Sequence, residues 1–231
     1  MSKNFVKDAV LGFAIGDALG VPFEFKARDS FRCTDMVGYG THNQPKGTWS
    51  DDTSMVLATM YALYDNEMAT DLHKIMKNFR KWRYNGDFTP YFTCFDIGGT
   101  TAGAIMRSMK DDDPSSWGNK DEDTANGNGA LMRILPFAFA NYPTESIDAV
   151  GAMTHNTVRS KFACQWYVNI CRQIIDGTLK ARFDPYLAAI QSIERKELDS
   201  SGYVIGTFVS AVWCFLNTSN YKDCVLAAVN L

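Results

Sequence analysis

The chain has 231 residues, of which 46% are hydrophobic and 21% are charged, an ordinary composition for a globular protein with a substantial core. Its formal net charge of −3 argues against a general electrostatic affinity for nucleic acid or for an anionic membrane. No apolar run is long enough to span a bilayer, and the polar N-terminus lacks a signal-peptide core, so we expect a cytoplasmic protein with reduced thiols. The three histidines lie far apart and share no metal-binding spacing with the six cysteines, which argues against a zinc site.

The first predicted element is a helix over 5–19, where apolar residues repeat with a helical period. Gly12, Gly16 and Gly20 recur every four residues and leave one side of this helix as bare backbone. Because glycine lowers helix stability, the arrangement favours the close approach of another helix or of a ligand. The segment 21–47 follows as a long loop punctuated by glycine and proline, and loops of this length are often functional.

Helical patterns dominate the rest of the chain, and the predicted helices cover 52–65, 70–83, 100–109, 129–141, 145–153, 157–176, 184–195, 202–217 and 221–230. The stretch 110–128 is a second long loop, in which we expect the acidic runs 111–113 and 121–123 to be solvated. The best strand candidate, 203–205, lies inside a helical pattern. Because no repeat or linker interrupts the pattern, we predict that residues 1–231 form one compact all-α domain.

The most informative motif places a hydroxyl and two carboxylates, those of Ser50, Asp51 and Asp52, at a predicted helix start. Oxygen ligands of this kind suit a hard divalent cation such as Mg²⁺ or Mn²⁺. The alternative interpretation is an ordinary helix N-terminus, in which Ser50 caps the backbone and the two acids favour the helix dipole.

Three other segments have the composition of a binding site. Glu24 lies between two phenylalanines, where apolar neighbours favour a raised pKa and proton transfer, although a solvent-facing acid is the alternative. The glycine turn 96–103 leads into a helix start, where backbone N–H groups suit a phosphate. The Asn-Gly pairs of 126–129 precede Arg133, which we expect near a docked phosphate. His155 is suited to hydrogen-bond a ribose or, more simply, to cap a helix.

Taken together, six segments resemble the ADP-ribosylglycohydrolase family, which includes the dinitrogenase reductase-activating glycohydrolases and the vertebrate ADP-ribosylhydrolases. They follow the family's order over nearly the whole chain, and the second and fourth are specific. The segments are GFAIGDALGVPFEF (12–25), GTWSDDTSMVLA (47–58), DIGGTTAGA (96–104), GNGALMRILPFA (127–138), THN (154–156) and SGYVIGTF (201–208).

The resemblance implies a compact bundle of orthogonal helices with two divalent cations, Mg²⁺ or Mn²⁺, at the mouth of an ADP-ribose cleft. It implies hydrolysis of the N- or O-glycosidic bond between ADP-ribose and a protein side chain, with arginine as the expected linkage. By motif match Ser50, Asp51 and Asp52 are metal ligands, and Asp52 or Glu24 takes the proton of the attacking water. The implied contacts to the ribose, the pyrophosphate and the distal part of the ligand come from Gly98, Gly99, Thr100, Thr101, Gly127, Asn128, Gly129 and His155.

The chain also departs from the family at its C-terminal side. Relatives continue past the final helix into a Gly-Asp-x-Asp-Thr motif that completes the binuclear metal site, and this sequence ends before it. Gly206 stands where an acid is common in relatives, and Val209 stands where many carry glutamate. Three explanations remain open: a truncated sequence, a second chain that completes the metal site, or a catalytically impaired relative that binds ADP-ribose or a nucleotide without cleaving it.

Overall fold

The structure, a computed structural model, describes residues 4–231 apart from the side chain of Arg182. Within these residues the protein is all-helical and contains only two isolated β-bridges, which confirms the predicted fold class. The helices are α1 Phe5–Gly20, α2 Asp51–Tyr64, α3 Leu72–Asn85, α4 Gly99–Ser108, α5 Pro114–Trp117, α6 Thr144–Ala152, α7 Val158–Ile175, α8 Pro185–Gln191, α9 Val204–Leu216 and α10 Tyr221–Val229. No helix among the described residues is both long and apolar enough to cross a membrane.

The chain divides into two compact units, one formed by Met1–Thr48 with Gln173–Leu231 and the other by Trp49–Arg172. In the first unit α10 lies against the glycine-lined side of α1. A Cβ atom on Gly12 would lie 3.5 Å from the ring of Tyr221, whose hydroxyl donates to the Gly12 carbonyl at 2.6 Å. The predicted close approach is therefore confirmed at Gly12 and Gly16, where the partner is another helix, whereas a Cβ atom on Gly20 would meet nothing within 4 Å.

The second unit is built around α2, which is buried along most of its length against α3. Met55 and Val56 of α2 and Phe79 and Trp82 of α3 have no exposed surface. The buried side chain of Asn78 donates to the carbonyl oxygen of Ala58 at 3.0 Å and so ties the two helices together. Burial of these large side chains holds the start of α2, and with it the acidic motif, on a rigid base.

Several predicted helix boundaries are wrong, each for a local reason. The segment 129–141 is not a helix but two 3-10 turns, Leu131–Arg133 and Leu135–Ala138. Pro136 explains the difference, because it has no backbone N–H and disfavours helical geometry in the residue before it. The polar loop contains one unpredicted turn of helix, α5, which starts with a proline and is capped by the Asp113 carboxylate.

Two further corrections concern the C-terminal part of the chain. The helix predicted over 184–195 ends at Gln191 and is followed by a separate 3-10 turn, Arg195–Glu197. The strand candidate 203–205 belongs to α9, for which Tyr203 is the N-cap residue. All six cysteines are free.

Candidate active site

The start of α2 positions the predicted metal ligands. Ser50 is the N-cap residue, with extended φ and ψ angles of −97° and −152°, yet its side chain makes no capping hydrogen bond. Its hydroxyl instead donates to Oδ2 of Asp52 at 3.0 Å. The structure therefore does not show Ser50 as a side-chain cap, although Asp51 and Asp52 lie in the first turn of α2, where the alternative interpretation places them.

The oxygen atoms of this cluster fit a small divalent cation. Ligands about 2.1 Å from Mg²⁺ in an octahedron are about 3 Å apart along each edge. Ser50 Oγ and Asp52 Oδ2 are separated by 3.0 Å, a distance that belongs to the hydrogen bond between them and that also equals one such edge. Ser50 and Asp51 are buried and Asp52 is half-buried, so the helix holds two carboxylates largely out of water. Negative charge in such a place is stabilised by hydrogen bonds or by a bound cation.

The negative charge of Asp51 also raises the pKa of the Cys94 thiol. Cys94 has its pKa raised to about 11, first because it is partly buried and second because the Asp51 carboxylate disfavours a thiolate. Cys94 is therefore a neutral thiol at neutral pH.

The start of α4 carries the predicted phosphate-binding turn. Gly98 is its N-cap residue and Gly99 its first residue, and a Cβ atom on either would meet nothing within 4 Å. The backbone there is thus open on its outer side. Because the first N–H groups of a helix have no partner within the helix, this turn presents donors suited to an anion. Thr100 is half-buried in the first turn, and Thr101 behind it is buried.

The loop before the first 3-10 turn brings two distant segments together. A Cβ atom on Gly129 would lie 2.8 Å from Cε1 of His155 and 3.1 Å from Oγ1 of Thr101. The glycine therefore allows His155, Thr101 and the loop backbone to meet at one place. Gly127 and Asn128 lie half-buried in the same loop, next to this meeting point in the chain.

A hydrogen-bonded network holds the loop around these residues. The side chain of Asn126 donates to the carbonyl of Glu122 and accepts from Thr157 Oγ1 at 2.7 Å. The backbone N–H of Asn119 donates to the Thr154 carbonyl at 2.9 Å, and the Asn119 carbonyl accepts from the N–H of Asn156 at 2.8 Å. His155 thus sits in a backbone segment that is fixed from both sides, a feature that the sequence motif does not reveal.

His155 itself is buried and uncharged. Its Nδ1 atom lies 2.8 Å from Oγ1 of Thr154, which accepts a hydrogen bond of 2.8 Å from Arg133. Burial lowers the pKa of His155 to about 3, and the positive charge of Arg133 acts in the same direction. The simpler expectation, that the His155 side chain caps a helix, is not supported, because the ring bonds to the Thr154 hydroxyl.

Arg133 is not where the sequence predicted it. Its side chain has no exposed surface, its guanidinium lies 5.0 Å from the ring centre of Phe79, and it donates to the Val150 carbonyl at 3.0 Å. The expectation that Arg133 lies near a docked phosphate is therefore wrong. The residue follows an Asn-Gly turn in the sequence, but the 3-10 turn directs it into the core instead of towards solvent.

In the first unit, Glu24 is paired with a residue that sequence reasoning missed. His42 Nε2 lies 2.7 Å from Glu24 Oε2, and the two side chains are 14% and 38% exposed. The flanking phenylalanines do not enclose the carboxylate, because Phe23 stacks on Phe31 and Phe25 is 80% exposed. The predicted apolar environment of Glu24 is thus wrong. No spacing in the sequence indicates the pairing with His42, since a loop joins the two residues.

The loop that joins them depends on one glycine. Gly40 has a φ angle of +65°, and a Cβ atom there would lie 2.1 Å from the carbonyl oxygen of Pro22. The hydroxyl of Thr41 donates to the Glu24 carbonyl at 2.6 Å, and its N–H donates to the Pro22 carbonyl at 3.2 Å. These contacts hold the two ends of the loop together, and with them the carboxylate and imidazole groups.

The two family departures in α9 have different surroundings. A Cβ atom on Gly206 would lie 2.6 Å from Oδ2 of Asp199, so an aspartate from the preceding loop occupies the space of a side chain at that position. Val209 packs against the core cluster formed by Leu198, Cys214 and Leu231. Both residues are therefore explained by packing within the first unit.

Comparison with known proteins agrees with the resemblance. A profile of the ADP-ribosylglycohydrolase family matches residues 2–231. ADP-ribosylarginine hydrolase Tri1 of Serratia proteamaculans is 33% identical over 249 aligned positions, which cover 100% of this chain and 67% of the relative. The ADP-ribosyl-[dinitrogen reductase] glycohydrolase of Rhodospirillum rubrum is 28% identical, over 96% of this chain and 77% of the relative.

A solved structure described as an ADP-ribosylglycohydrolase-related protein complex superimposes with a TM-score of 0.78 at 27% identity, over 96% of this chain and 78% of that chain. The chain spans about two thirds of the length of the first relative. The match over residues 2–231, the shared fold and the order of the motifs lead to one conclusion: this chain belongs to the ADP-ribosylglycohydrolase family.

Proposed function

We propose that this protein is a divalent-metal-dependent hydrolase that removes ADP-ribose from modified protein side chains, and that the modified side chain is arginine. The observation that most supports this proposal is the pair of oxygen atoms from Ser50 and Asp52, which lie 3.0 Å apart at the buried start of α2. The names of the two relatives, an ADP-ribosylarginine hydrolase and a dinitrogen reductase glycohydrolase, support the substrate class.

Ser50, Asp51 and Asp52 are the proposed ligands of Mg²⁺ or Mn²⁺, in a site that is binuclear in the family. Their donor atoms are all oxygens, which is the set that these cations prefer. A cation pair held by these residues would supply a positive charge that orients the ribose hydroxyls and makes a water molecule more acidic.

The proposed ligand-binding residues of the second unit lie on two loops and one helix start. The open N-terminus of α4, from Gly98 through Thr101, offers backbone N–H groups to the pyrophosphate or ribose. Gly127, Asn128 and Gly129 offer a second stretch of backbone with little side-chain bulk. His155 completes the set, because it lies against Gly129 and Thr101.

The reaction requires a water molecule to attack the anomeric carbon of the ribose. The new bond joins the water oxygen to C1″, the C1″–N bond breaks, and its electron pair goes to the leaving guanidine nitrogen. Positive charge builds on the ribose ring in the transition state, so carboxylates nearby lower the barrier. Asp52 is the proposed general base that accepts the proton of the water, and Glu24 is the second candidate for that role.

We further propose that residues 1–231 act as one ADP-ribosylglycohydrolase-like domain in the cytoplasm, without affinity for nucleic acid or membranes. The net charge of −3 supports the absence of nucleic-acid affinity. Calorimetric unfolding checks the single domain, for which one cooperative transition is expected. If a second chain completes the metal site, size-exclusion chromatography with Mg²⁺ will show a larger species than without it.

The test is release of ADP-ribose from an ADP-ribosylated arginine peptide, with EDTA-treated protein and added Mg²⁺ or Mn²⁺. Asp51→Asn and Asp52→Asn each remove a charged ligand, and we expect metal affinity to fall by at least about tenfold. Asp123→Asn is the matched control, because this carboxylate is exposed in the polar loop. Isothermal titration calorimetry with the metal alone measures the affinity.

The outcomes separate the two functions that the sequence leaves open. Metal-dependent release that is lost in Asp52→Asn supports the hydrolase. Binding of ADP-ribose with no release at any metal concentration supports the binding-only alternative. Unchanged metal affinity in both asparagine variants removes the ligand role of the α2 cluster.

A further inference from the structure

Three residues of the second unit form a buried hydrogen-bonded series. A terminal nitrogen of Arg133 lies 2.8 Å from Oγ1 of Thr154, and Oγ1 in turn lies 2.8 Å from Nδ1 of His155. Arg133 and Thr154 have no exposed surface, and His155 is 3% exposed. Water therefore has little access, and the direction of each hydrogen bond is decided by the three groups themselves.

The directions follow from which groups can donate. A guanidinium has N–H donors and no acceptor, so Arg133 must donate to Thr154 Oγ1. The hydroxyl of Thr154 carries one hydrogen, and among the described residues its only other side-chain partner is His155 Nδ1. A buried hydroxyl hydrogen needs an acceptor, and Nδ1 is the one within reach. Nδ1 is thus the acceptor, and in a neutral ring the remaining hydrogen is on Nε2.

The ring stays neutral because of its surroundings. Burial and the charge of Arg133 lower the pKa of His155 to about 3, while Arg133, with a pKa lowered by burial to about 10, remains charged at neutral pH. Two further nitrogens of Arg133, Nε and Nη1, have no hydrogen-bond partner among the described residues. A buried cation with unsatisfied donors costs stability, so the bonds that Arg133 does make, to Thr154 and to the Val150 carbonyl, are the ones that fix its position.

The Nε2 side of the ring faces the glycine loop. A Cβ atom on Gly129 would lie 2.8 Å from Cε1 and 3.4 Å from Nε2 of His155, and 3.1 Å from Thr101 Oγ1. The edge of the ring that carries Cε1 and Nε2 therefore lies beside the proposed ligand-binding loop, with the Thr101 hydroxyl close to the same glycine. Nδ1, the other ring nitrogen, lies against Oγ1 of Thr154.

We infer that Arg133 and Thr154 are positioning residues that hold His155 in the Nε2–H tautomer, so that Nε2 donates a hydrogen bond to an acceptor oxygen of the bound ADP-ribose. The inference rests on the proposed function for the identity of the ligand, and on the buried series alone for the tautomer. Burial prevents Arg133 from contacting a phosphate directly. The inference gives it an indirect role, through Thr154 and His155.

Nuclear magnetic resonance of ¹⁵N-histidine-labelled protein tests the tautomer directly, without ligand. The chain has three histidines, so the two-bond proton–nitrogen spectrum contains three rings, which His42→Gln and His73→Gln variants assign. We expect His155 to show one protonated nitrogen, Nε2, and to keep it from neutral pH down to pH 5. Thr154→Ser should preserve this pattern, whereas Thr154→Val should shift the ring towards a mixture of tautomers.

Calorimetry with ADP-ribose tests the consequence for binding. Loss of one hydrogen bond predicts an affinity about fivefold to tenfold lower for Thr154→Val. Thr178→Val is the matched control, because this threonine is exposed and belongs to the other unit. The control is expected to bind as the wild type does.

Two results would overturn the inference, and they are distinguishable. An Nδ1–H tautomer or an imidazolium ring in the wild-type protein overturns the tautomer assignment, even if Thr154→Val does not fold. A wild-type protein that shows the Nε2–H tautomer but binds no ADP-ribose overturns the ligand role together with the proposed function, and leaves the tautomer assignment in place.

Discussion

Gly129→Ala is the substitution whose effect the structure predicts in most detail. The added Cβ atom would lie 2.8 Å from His155 Cε1 and 3.1 Å from Thr101 Oγ1. Ordinary contacts of a Cβ atom begin near 3.4 Å, so the imidazole must move by about 0.6 Å or the loop must shift. The ring has little freedom, because Thr154 bonds its Nδ1 and Asn119 bonds the backbone on both sides. Relief of the clash therefore distorts the proposed binding site.

The expected cost is that of overpacking a well-filled core, about 1–3 kcal/mol. In a chain of this size each kcal/mol lowers the melting temperature by about 2–4 °C. Displacement of His155 should also lower the affinity for ADP-ribose by at least about fivefold, because a ligand hydrogen bond is lost or lengthened. Differential scanning calorimetry measures the stability, and isothermal titration measures the affinity.

Gly202→Ala is the matched control. A Cβ atom at Gly202 would meet nothing within 4 Å, and the residue has no positive φ angle, so alanine should be neutral or slightly stabilising. If Gly129→Ala matches Gly202→Ala in both melting temperature and ADP-ribose affinity, the close packing of His155 against the loop is not what organises the site.

Two further predictions concern charge in the second unit. In the folded protein the pKa of His155 is lowered to about 3, whereas its unfolded value is about 6.5. As pH falls below about 6.5, the unfolded chain therefore binds a proton that the folded protein does not bind, and the folded state loses stability. Urea unfolding should show the wild type losing about 1.4 kcal/mol per pH unit more than His155→Asn between about pH 6 and pH 4; parallel slopes would contradict this. Arg172 donates to the carbonyls of Phe137, Ala140 and Tyr142 at 2.9, 3.0 and 2.9 Å. Arg172→Met should therefore destabilise the protein by about 2–3 kcal/mol, whereas Arg159→Met at an exposed ion pair should cost less than about 1 kcal/mol in the same assay; equal costs would refute the assignment.

Much of the secondary structure is predictable because it depends on local pattern. The bounds of α2, α4 and α7 lie within one residue of those predicted, since apolar periodicity and flanking polar residues act within a few positions. The helix predicted around Pro136 is wrong: the segment is apolar and periodic, which favours a helix, but the missing proline N–H favours 3-10 turns. Local pattern gives no means of weighing these two effects against each other.

The site is only partly predictable, because some of its residues are adjacent in the chain and others come from distant segments. The hydroxyl and carboxylates at the start of α2 are adjacent in the chain, so their spacing alone predicts an oxygen-rich cluster. The loop glycines at 127–129 likewise follow from composition. The partners of these groups come from distant segments, and side-chain packing alone brings Thr101, Gly129 and His155 into contact.

The amino-acid sequence by itself determined the all-helical class, the family and the acidic motif, because each depends on residue order over short stretches. Tertiary structure alone decided that Arg133 is a buried donor, that His155 is neutral and that His42 pairs with Glu24. The physical reason is that burial and hydrogen-bond direction depend on which groups surround a side chain. Those groups are contributed by helices and loops that the chain brings together only on folding.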